Sequence, residues 1–348
     1  MLIKTEVSMM ELSQRKRKLL ALIVERYIAS GEPVGSSVLC SALAVSSATV
    51  RNEMAELSAM GLLDQPHTSA GRMPTQRGLR YYLDNLINPA ELSNADRFRI
   101  ESRFDMTLGD PVKILEQAGR ILSSITGCAA AMSTPFDSQA VIRRVEIVPV
   151  GNYTALVVMM ISTGVVKSSI CKCSVPLDMN MVQLFYSIAG SCFIGRRTDE
   201  LTAGAIQSIT ASLGDKMIAM LPLMVTLRVL VSEASQSQII TCGESNLLYL
   251  DGFDSDAHSV MEFMKHTDAL ARVLSSPSDG VRVTLGRENR YRELENTSVM
   301  TVGYSVLGRQ VGSLAVISSL RSDYSRLIPC LKFTSELVGR ALSQAIEE

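Results

Sequence analysis

Apolar residues recur with helical spacing in three segments near the start of the chain, at 18–28, 36–43 and 48–60. This period predicts three helices. Ser47 is placed to cap the third helix, and Gly61 is placed to end it in a left-handed conformation. The tight connection between the second and third segments predicts a helix-turn-helix.

Two short extended segments, 62–67 and 72–74, follow the third helix and flank the sequence TSAG. They predict a two-stranded wing, after which Thr75 is placed to cap a further helix. We expect Gly71 to bring the wing backbone close to a bound ligand, because glycine has no side chain to keep the ligand away. Helices followed by a wing in this order predict a winged helix-turn-helix domain, which we place at residues 1–88.

Beyond residue 88 the pattern alternates between helices and strands. Three segments rich in β-branched residues, joined by the turns GN and STG, predict an antiparallel meander. A helical block at 198–237 contains the run MIAMLPLMVTLRVLV, which is too apolar for an isolated surface helix, so we expect a partner to cover it. The other predicted elements are helices at 91–107, 111–124 and 179–189, strands at 143–150, 153–161 and 165–173, and, after residue 255, a helix to residue 274, strands at 281–285, 297–304 and 311–317, and a helix at 323–345.

A helical block that interrupts an α/β sheet predicts an α+β multidomain fold. The uncharged stretch 147–166 is broken by Pro, Gly and Asn, which fits strands and turns better than a membrane helix. The apolar run that follows the basic segment 15–18 is only six residues long, too short for an export signal. We therefore expect a cytoplasmic protein without a membrane segment.

The charge of the chain is unevenly distributed. There are 34 Lys and Arg residues against 35 Asp and Glu, but the first 88 residues carry ten basic and eight acidic ones. The basic excess lies in the run RKRK at 15–18 and in the segment QPHTSAGRMPTQRGLRYY at 65–82, which has no acidic residue. The run is either a solvated helix end or a source of attraction for phosphate.

The seven cysteines are odd in number and scattered in apolar contexts, so we expect reduced thiols. Cys171 and Cys173 would share one face of a strand, but no second pair of ligands accompanies them, and we expect no metal site. The chain also lacks the sequence signatures of hydrolases, nucleotide-binding loops and zinc proteases. The segment GRENR at 286–290 resembles a phosphate loop only superficially, and a turn at a strand end is the better interpretation. We expect no enzymatic activity and no cofactor.

Short and forked side chains line the start of the third predicted helix. Asn52 can bond adenine bidentately, and Arg51 can reach guanine or phosphate. Ala48 and the Thr49 methyl group can touch a thymine methyl, and Ser47 with the N–H groups of the helix start can hold phosphate. The alternative is a winged helix that contacts another protein. An arginine on the wing and the RKRK run favour DNA.

The segments GEPVGS, SSATVRNEM, GLLDQPHTSAGRMPT and GLRYY, in this order between residues 31 and 82, closely resemble the heat-inducible transcription repressor HrcA family of bacteria. Weaker similarity at EIVPVGNYTALVVMM, GESNLL and RSDYSRLI extends the resemblance over the chain. It implies a winged helix at 1–88, a GAF-like α/β domain with an antiparallel sheet at 89–190 and 256–348, and an inserted, mostly helical dimerisation domain at 191–255.

The resemblance also implies a function. Members of the family repress chaperonin and Hsp70 operons by binding as dimers to the inverted repeat CIRCE, and heat relieves repression by occupying the chaperonin GroEL with misfolded proteins. The partners expected for this chain are therefore double-stranded DNA, a second copy of the chain and GroEL. The block Ser318-Ser319-Leu320 departs from the Gly-Pro-Thr common in the family, so we expect domain packing to differ there.

The residues expected to contact DNA come from the third helix, the wing and the helix after it: Ser47, Ala48, Thr49, Arg51, Asn52, His67, Arg72 and Arg77. One alternative remains open, a ligand-sensing winged-helix repressor whose GAF-like domain binds a small effector. A specific ligand that shifts operator affinity at fixed temperature would favour it.

Overall fold

The N-terminal unit is a helical bundle closed by a two-stranded antiparallel sheet. The computed structural model of the protein describes residues 11–67, 70–87, 91–137, 139–253, 256–275 and 280–347. Apolar faces of the helices share one core, in which Leu19, Leu20 and Ile23 are fully buried. The elements of this unit are α1 (Gln14–Ser30), a 3₁₀ turn (Ser36–Leu39), α2 (Cys40–Leu43), α3 (Ser47–Ala59), β1 (Leu63–Asp64), β2 (Met73–Pro74) and α4 (Gln76–Asn85).

The third helix begins one residue earlier than predicted. Ser46, and not Ser47, caps α3, because the Ser46 hydroxyl accepts a hydrogen bond from the Thr49 backbone N–H at 3.2 Å. Gly61 follows the helix with a left-handed φ of 73°, as predicted. The hydroxyl of Thr75 caps α4, also as predicted.

The rest of the chain forms two antiparallel sheets with helices around them. The elements are α5 (Asn94–Glu101), α6 (Pro111–Thr126), β3 (Ala129–Ser133), β4 (Ile142–Gly151), β5 (Thr154–Ile161), β6 (Val166–Lys172), α7 (Met179–Cys192), α8 (Ala203–Ala211), α9 (Met217–Ala234), β7 (Ile239–Cys242), α10 (Ala257–Lys265), α11 (Thr267–Leu274), β8 (Arg282–Leu285), β9 (Thr297–Val306), β10 (Arg309–Ser319) and α12 (Tyr324–Glu347). With the winged helix, they form the α+β multidomain fold that the sequence predicts.

The larger sheet has five strands in the order β7-β3-β10-β9-β8. Successive side chains of a strand point to opposite faces, so each strand can serve two cores. In β3, Ala130 and Met132 join the core that contains α6 and α12, whereas Ala129 and Ala131 join the core that contains α10 and α11. We call this sheet and its helices the main sheet unit.

The predicted meander lies in a separate unit. β3 pairs directly with β7, from Ala130–Cys242 to Ser133–Ile239, so the chain leaves the larger sheet after β3 and returns to it at β7. Within the loop so formed, β4, β5 and β6 pair in sequence order and pack with α7, α8 and α9 around their own core. The insertion therefore spans residues 134–238.

This pairing corrects the division expected from the sequence, which placed the meander in the GAF-like domain at 89–190 and began the insertion at 191. The sequence of a meander does not indicate which sheet it joins. The pairing of β3 with β7 shows that the meander lies in the insertion. The expected boundaries after residues 88 and 255 fall on or beside residues outside the described part of the chain.

Helix α9 carries the long apolar run. Met220, Leu223 and Leu227 on one face are buried in the core of the insertion. Within the described ranges, Gly214–Ala234 is the segment that is long and apolar enough to cross a bilayer by length and composition, a test that the core helix of a soluble protein also passes. The opposite face is exposed to solvent.

The two serines of the block Ser318-Ser319-Leu320 complete β10. Ser318 Oγ accepts hydrogen bonds from Cys128 Sγ at 3.3 Å and from Ser322 Oγ at 2.8 Å. The Ser319 carbonyl oxygen accepts one from Ser298 Oγ at 2.9 Å. Both serines are buried and pair with β9, Ser318 with Ser298 and Ser319 with Thr297.

A buried arginine joins the N-terminal unit to the main sheet unit. Arg80 on α4 is 5% exposed. Its guanidinium donates to Glu288 Oε1 at 3.0 Å, to Asp84 Oδ1 at 3.3 Å and to the Val283 carbonyl oxygen at 2.7 Å. One turn earlier, Gln76 donates to the carbonyl oxygen at the end of β8 at 2.5 Å. These bonds fix the orientation of the winged helix on the sheet.

We expect Arg80→Ala to lower the free energy of unfolding by about 3–5 kcal/mol, because it removes one partner of a buried ion pair. Arg120→Ala is the matched control. Arg120 forms an exposed pair with Glu116 on α6, and its loss should change stability by less than about 0.5 kcal/mol. Urea unfolding of both variants measures the difference, and equal midpoints would contradict the role assigned to Arg80.

Candidate nucleic-acid interface

The start of α3 presents an exposed polar surface. Ala48, Arg51 and Asn52 are exposed, while Val50 and Met54 are buried in the N-terminal core. Residues three and four apart lie on one face of a helix, so the three exposed residues face the same way. The major groove of DNA admits an α-helix with such a face.

Ser36 holds this surface in place. Its hydroxyl lies 3.1 Å from the hydroxyl of Ser47 and accepts a hydrogen bond from Arg51 Nε at 3.2 Å. Ser46 Oγ lies 2.9 Å from Thr49 Oγ1 in the same way. Ser47 and Thr49 are half-buried, and their hydroxyls are bonded within the turn. A hydroxyl has one donor and two acceptor sites, so both retain capacity for a further bond.

Half of the RKRK run is occupied by ion pairs. Arg15 Nε lies 2.5 Å from Glu53 Oε1, and Lys16 Nζ lies 2.5 Å from Glu56 Oε2. These pairs tie α1 to α3 and neutralise the two carboxylates of α3. The interpretation of the whole run as a source of phosphate attraction is therefore too broad. Its second half, residues 17 and 18, is exposed and keeps that interpretation.

The wing is held by the segment that precedes the helix-turn-helix. Val34 and Arg72 exchange two backbone hydrogen bonds, of 2.8 and 3.0 Å, beside the pairing of β1 with β2. A methyl group at Gly71 would overlap the Val34 carbonyl group. Gly71 was expected to approach a bound ligand, but here its backbone lies close to the backbone of Val34. This close approach sets the position of Arg72, whose side chain is half-buried.

His67 and Arg77 lie apart from the start of α3. His67 is exposed, and its carbonyl oxygen accepts a hydrogen bond from the Ala70 N–H at 2.9 Å across the wing tip. The tip residues 68 and 69 are outside the described part. Arg77 is exposed with its guanidinium beside Gly61, at the C-terminal end of α3. This is about 20 Å from Ser47, since a helix rises about 1.5 Å per residue.

The described cysteines form neither a disulfide nor a metal site. All seven cysteines are free, and Cys171 and Cys173 are both buried, as their shared strand face predicts. Burial, with Cys171 beside it, raises the pKa of Cys173. Among the described residues, no group of three or more His, Cys, Asp or Glu is arranged to hold a metal ion.

Two protein-family models match this chain. The one described as "Winged helix-turn-helix transcription repressor, HrcA DNA-binding" matches residues 11–83, and "HrcA protein C terminal domain" matches residues 112–328. The chain belongs to the HrcA family. The winged helix and the resemblance to HrcA are thereby confirmed. Members of the family are transcription repressors and not enzymes, as expected from the sequence.

Relatives in the HrcA family match the chain along its length. The heat-inducible transcription repressor HrcA of Moorella thermoacetica is 32% identical over 97% of this chain and 99% of its own. That of Acetivibrio thermocellus is 29% identical over 96% and 99%. A crystal structure described as a hypothetical protein matches 96% of this chain and 100% of its own, with a TM-score of 0.65 and 25% identity.

Two positioning residues escaped the sequence analysis. Ser36 bonds both Ser47 and Arg51, and Val34 pairs with the wing. Both lie in the segment GEPVGSS, which resembles HrcA and precedes α3 by about ten residues. Their place in this segment could have marked Ser36 and Val34 as candidates, but only the fold shows which residues they contact.

Gly71→Ala should destabilise the N-terminal unit by about 1–3 kcal/mol, because the added methyl group displaces the Val34 backbone. Gly109→Ala is its control, since no atom lies within 4 Å of a methyl group there. We expect that control to be neutral or stabilising by up to about 1 kcal/mol. Thermal unfolding followed by circular dichroism compares them, and a Gly71→Ala midpoint at or above that of Gly109→Ala would refute the close approach.

Proposed function

We propose that this chain represses heat-shock chaperone operons by binding as a dimer to the inverted repeat CIRCE. The exposed face of α3, with Ala48, Arg51 and Asn52, is the observation that supports this most directly. The relatives are named heat-inducible transcription repressors, and these names support the heat-inducible repression in the proposal. The operator and the chaperonin and Hsp70 operons come from the family resemblance in the sequence.

In this proposal α3 lies in the major groove and reads base edges. Asn52 bonds an adenine through its amide oxygen and nitrogen. Arg51 reaches a guanine, and Ser36 supports its stem at Nε. Ala48 and the methyl group of Thr49 contact a thymine methyl.

Phosphate contacts fix the register of these base contacts. Ser47 and the N–H groups at the start of α3 hold a phosphate at one end of the surface. Arg72 and His67 contact the backbone from the wing. Arg77, beside the far end of α3, contacts it farther along the duplex.

We assign dimerisation to the outer face of α9. Its exposed apolar residues are spaced by three or four positions and form one stripe, opposite the buried face of the helix. They are Ile218, Leu221, Val225 and Val229, with exposed fractions of 69, 48, 45 and 40%. Such a stripe is typical of helix pairing. A two-fold pair would place two winged helices on the two halves of an inverted repeat.

Heat acts in this proposal through GroEL, which keeps the repressor active until misfolded proteins occupy it. The protein works without a cofactor in the cytoplasm and lies at the nucleoid when bound to its operator. Adding GroEL to an operator titration tests this step. A larger DNA-binding fraction would support it, and an unchanged fraction would remove the chaperonin from the proposal.

Fluorescence anisotropy with a CIRCE duplex and a scrambled duplex, at two salt concentrations, tests operator binding. We expect a preference for CIRCE of at least about 10³, the lower range of specific binders. Arg51→Ala should weaken CIRCE binding by about 1–3 kcal/mol and leave the scrambled duplex nearly unaffected. Arg120→Ala, far from α3, is the control. Equal losses on both duplexes would make Arg51 a phosphate contact, and equal wild-type affinities would reject an operator-specific repressor.

Ile218→Asp should separate the dimer, because it places a charge in the apolar stripe that we assign to pairing. Sedimentation equilibrium should then give the 37.8 kDa chain mass, against twice that value for the wild type. Phe98→Asp on α5 is the control, since Phe98 is 71% exposed but lies outside the stripe. A dimeric Ile218→Asp protein, or a monomeric wild type, would rule out this interface.

A further inference from the structure

A cavity of about 320 Å³ opens beside the edge strand β8 of the main sheet unit. Its walls come from the end of α11, from β8 and β9, and from the loop GRENR at 286–290. The polar and charged residues that line it include Arg272, Ser275, Arg282, Thr284, Glu288, Asn289, Arg290 and Thr301. The volume lies at the lower end of the range for small-molecule sites.

The cavity is lined by three arginines and one acidic residue. Glu288 is already bonded to Arg80 and to the Leu285 backbone N–H, at 2.9 Å in the latter case. Within the described part of the chain, Arg272 and Arg290 have no ion-pair partner. Guanidinium groups present forked donors that match phosphate oxygens. The charge of the cavity therefore favours a phosphate-bearing ligand.

The loop that forms one wall is held in a fixed shape. Asn289 is buried and its amide donates to the carbonyl oxygens of Gly286 and Leu294, at 3.0 and 3.3 Å. Its oxygen accepts a hydrogen bond from Thr284 at 2.5 Å. Arg290 has a left-handed φ of 62°, which is unfavourable for a residue with a side chain. A strained residue at a cavity wall is an observation that points to function.

Two apolar side chains also line the cavity. They are Val273 and Tyr291, and the Tyr291 ring packs on Phe263 with centroids 4.9 Å apart. A ligand that fills the site would thus place its phosphate at the arginines and a flat or apolar group at the tyrosine. A mononucleotide has both parts.

We propose that this cavity binds a phosphorylated small molecule of mononucleotide size and that its occupation changes affinity for DNA. The connection is the loop itself. Glu288 bonds Arg80 of the winged helix, and Gln76 bonds the carbonyl oxygen of Leu285 immediately before the loop. A ligand that shifts the loop would also move the groups of the main sheet unit to which α4 is bonded. The regulatory half of this inference rests on the DNA-binding function proposed above, whereas the binding half does not.

Isothermal titration of the full-length protein with AMP, pyrophosphate and inorganic phosphate, at constant ionic strength and without DNA, tests the site. We expect saturable binding of AMP that is weakened at least tenfold in the Arg272→Gln/Arg290→Gln protein. Arg287→Gln, in the same loop but not in the cavity lining, should bind as the wild type does. Tighter binding of pyrophosphate than of AMP would identify a bare phosphate site and overturn the apolar subsite. No saturable binding of any of the three, or an equal loss in Arg287→Gln, would overturn the site itself.

Anisotropy of a labelled duplex, with and without saturating AMP, tests the coupling. The DNA affinity should change at least fivefold in the wild type and should not change in the Arg272→Gln/Arg290→Gln protein. Circular dichroism checks that the double variant is folded. AMP binding without any change in DNA affinity would overturn the regulatory half. A wild-type protein that binds no duplex either with or without AMP would instead reject the proposed function, so the two failures can be told apart.

Discussion

The orientation of the winged helix depends on the burial of the Arg80 guanidinium. A buried charge is tolerated only where ion pairs and hydrogen bonds surround it. Here the partners come from both sides, Asp84 from the same helix and Glu288 and Val283 from the main sheet unit. Any rotation of α4 away from the sheet would separate the charge from two of these three partners, Glu288 and Val283. The surface of α3 is therefore presented at a fixed angle to the rest of the chain.

The direct pairing of β3 with β7 sets the second constraint. These strands pair at one edge of the larger sheet, so the insertion between them needs only to have its two ends at neighbouring positions. It can then form its own core from the meander and three helices. The buried face of α9 belongs to that core, and the exposed apolar stripe lies on the other side of the same helix. The stripe proposed for pairing and the α3 surface proposed for DNA thus belong to elements with separate cores, so neither restricts the packing of the other.

Local features were predictable from the sequence because they depend on neighbouring residues. The α3 stripe, the left-handed Gly61, the Thr75 cap and the order of the meander all follow from spacing and turn chemistry. The contacts that span the chain were not predictable. Arg80 and Glu288 are 208 positions apart, and nothing in RKRK or SATVRNEM shows that Arg15 pairs with Glu53. Ser46 and not Ser47 caps α3, and the Ser47 hydroxyl contacts that of Ser36, which only the fold brings near it.

Separate cores allow the two ends of the molecule to have separate stabilities. The N-terminal unit shares one hydrophobic cluster with the main sheet unit, whereas the insertion has its own. With the dimerisation proposed for α9, the insertion would join two chains without contributing to the core behind α3. Each winged helix of such a dimer would reach one half of an inverted repeat, and the linkage would give the second contact an effective concentration on the order of millimolar, as for short linkers. Loss of pairing would thus weaken operator binding while each α3 remains folded.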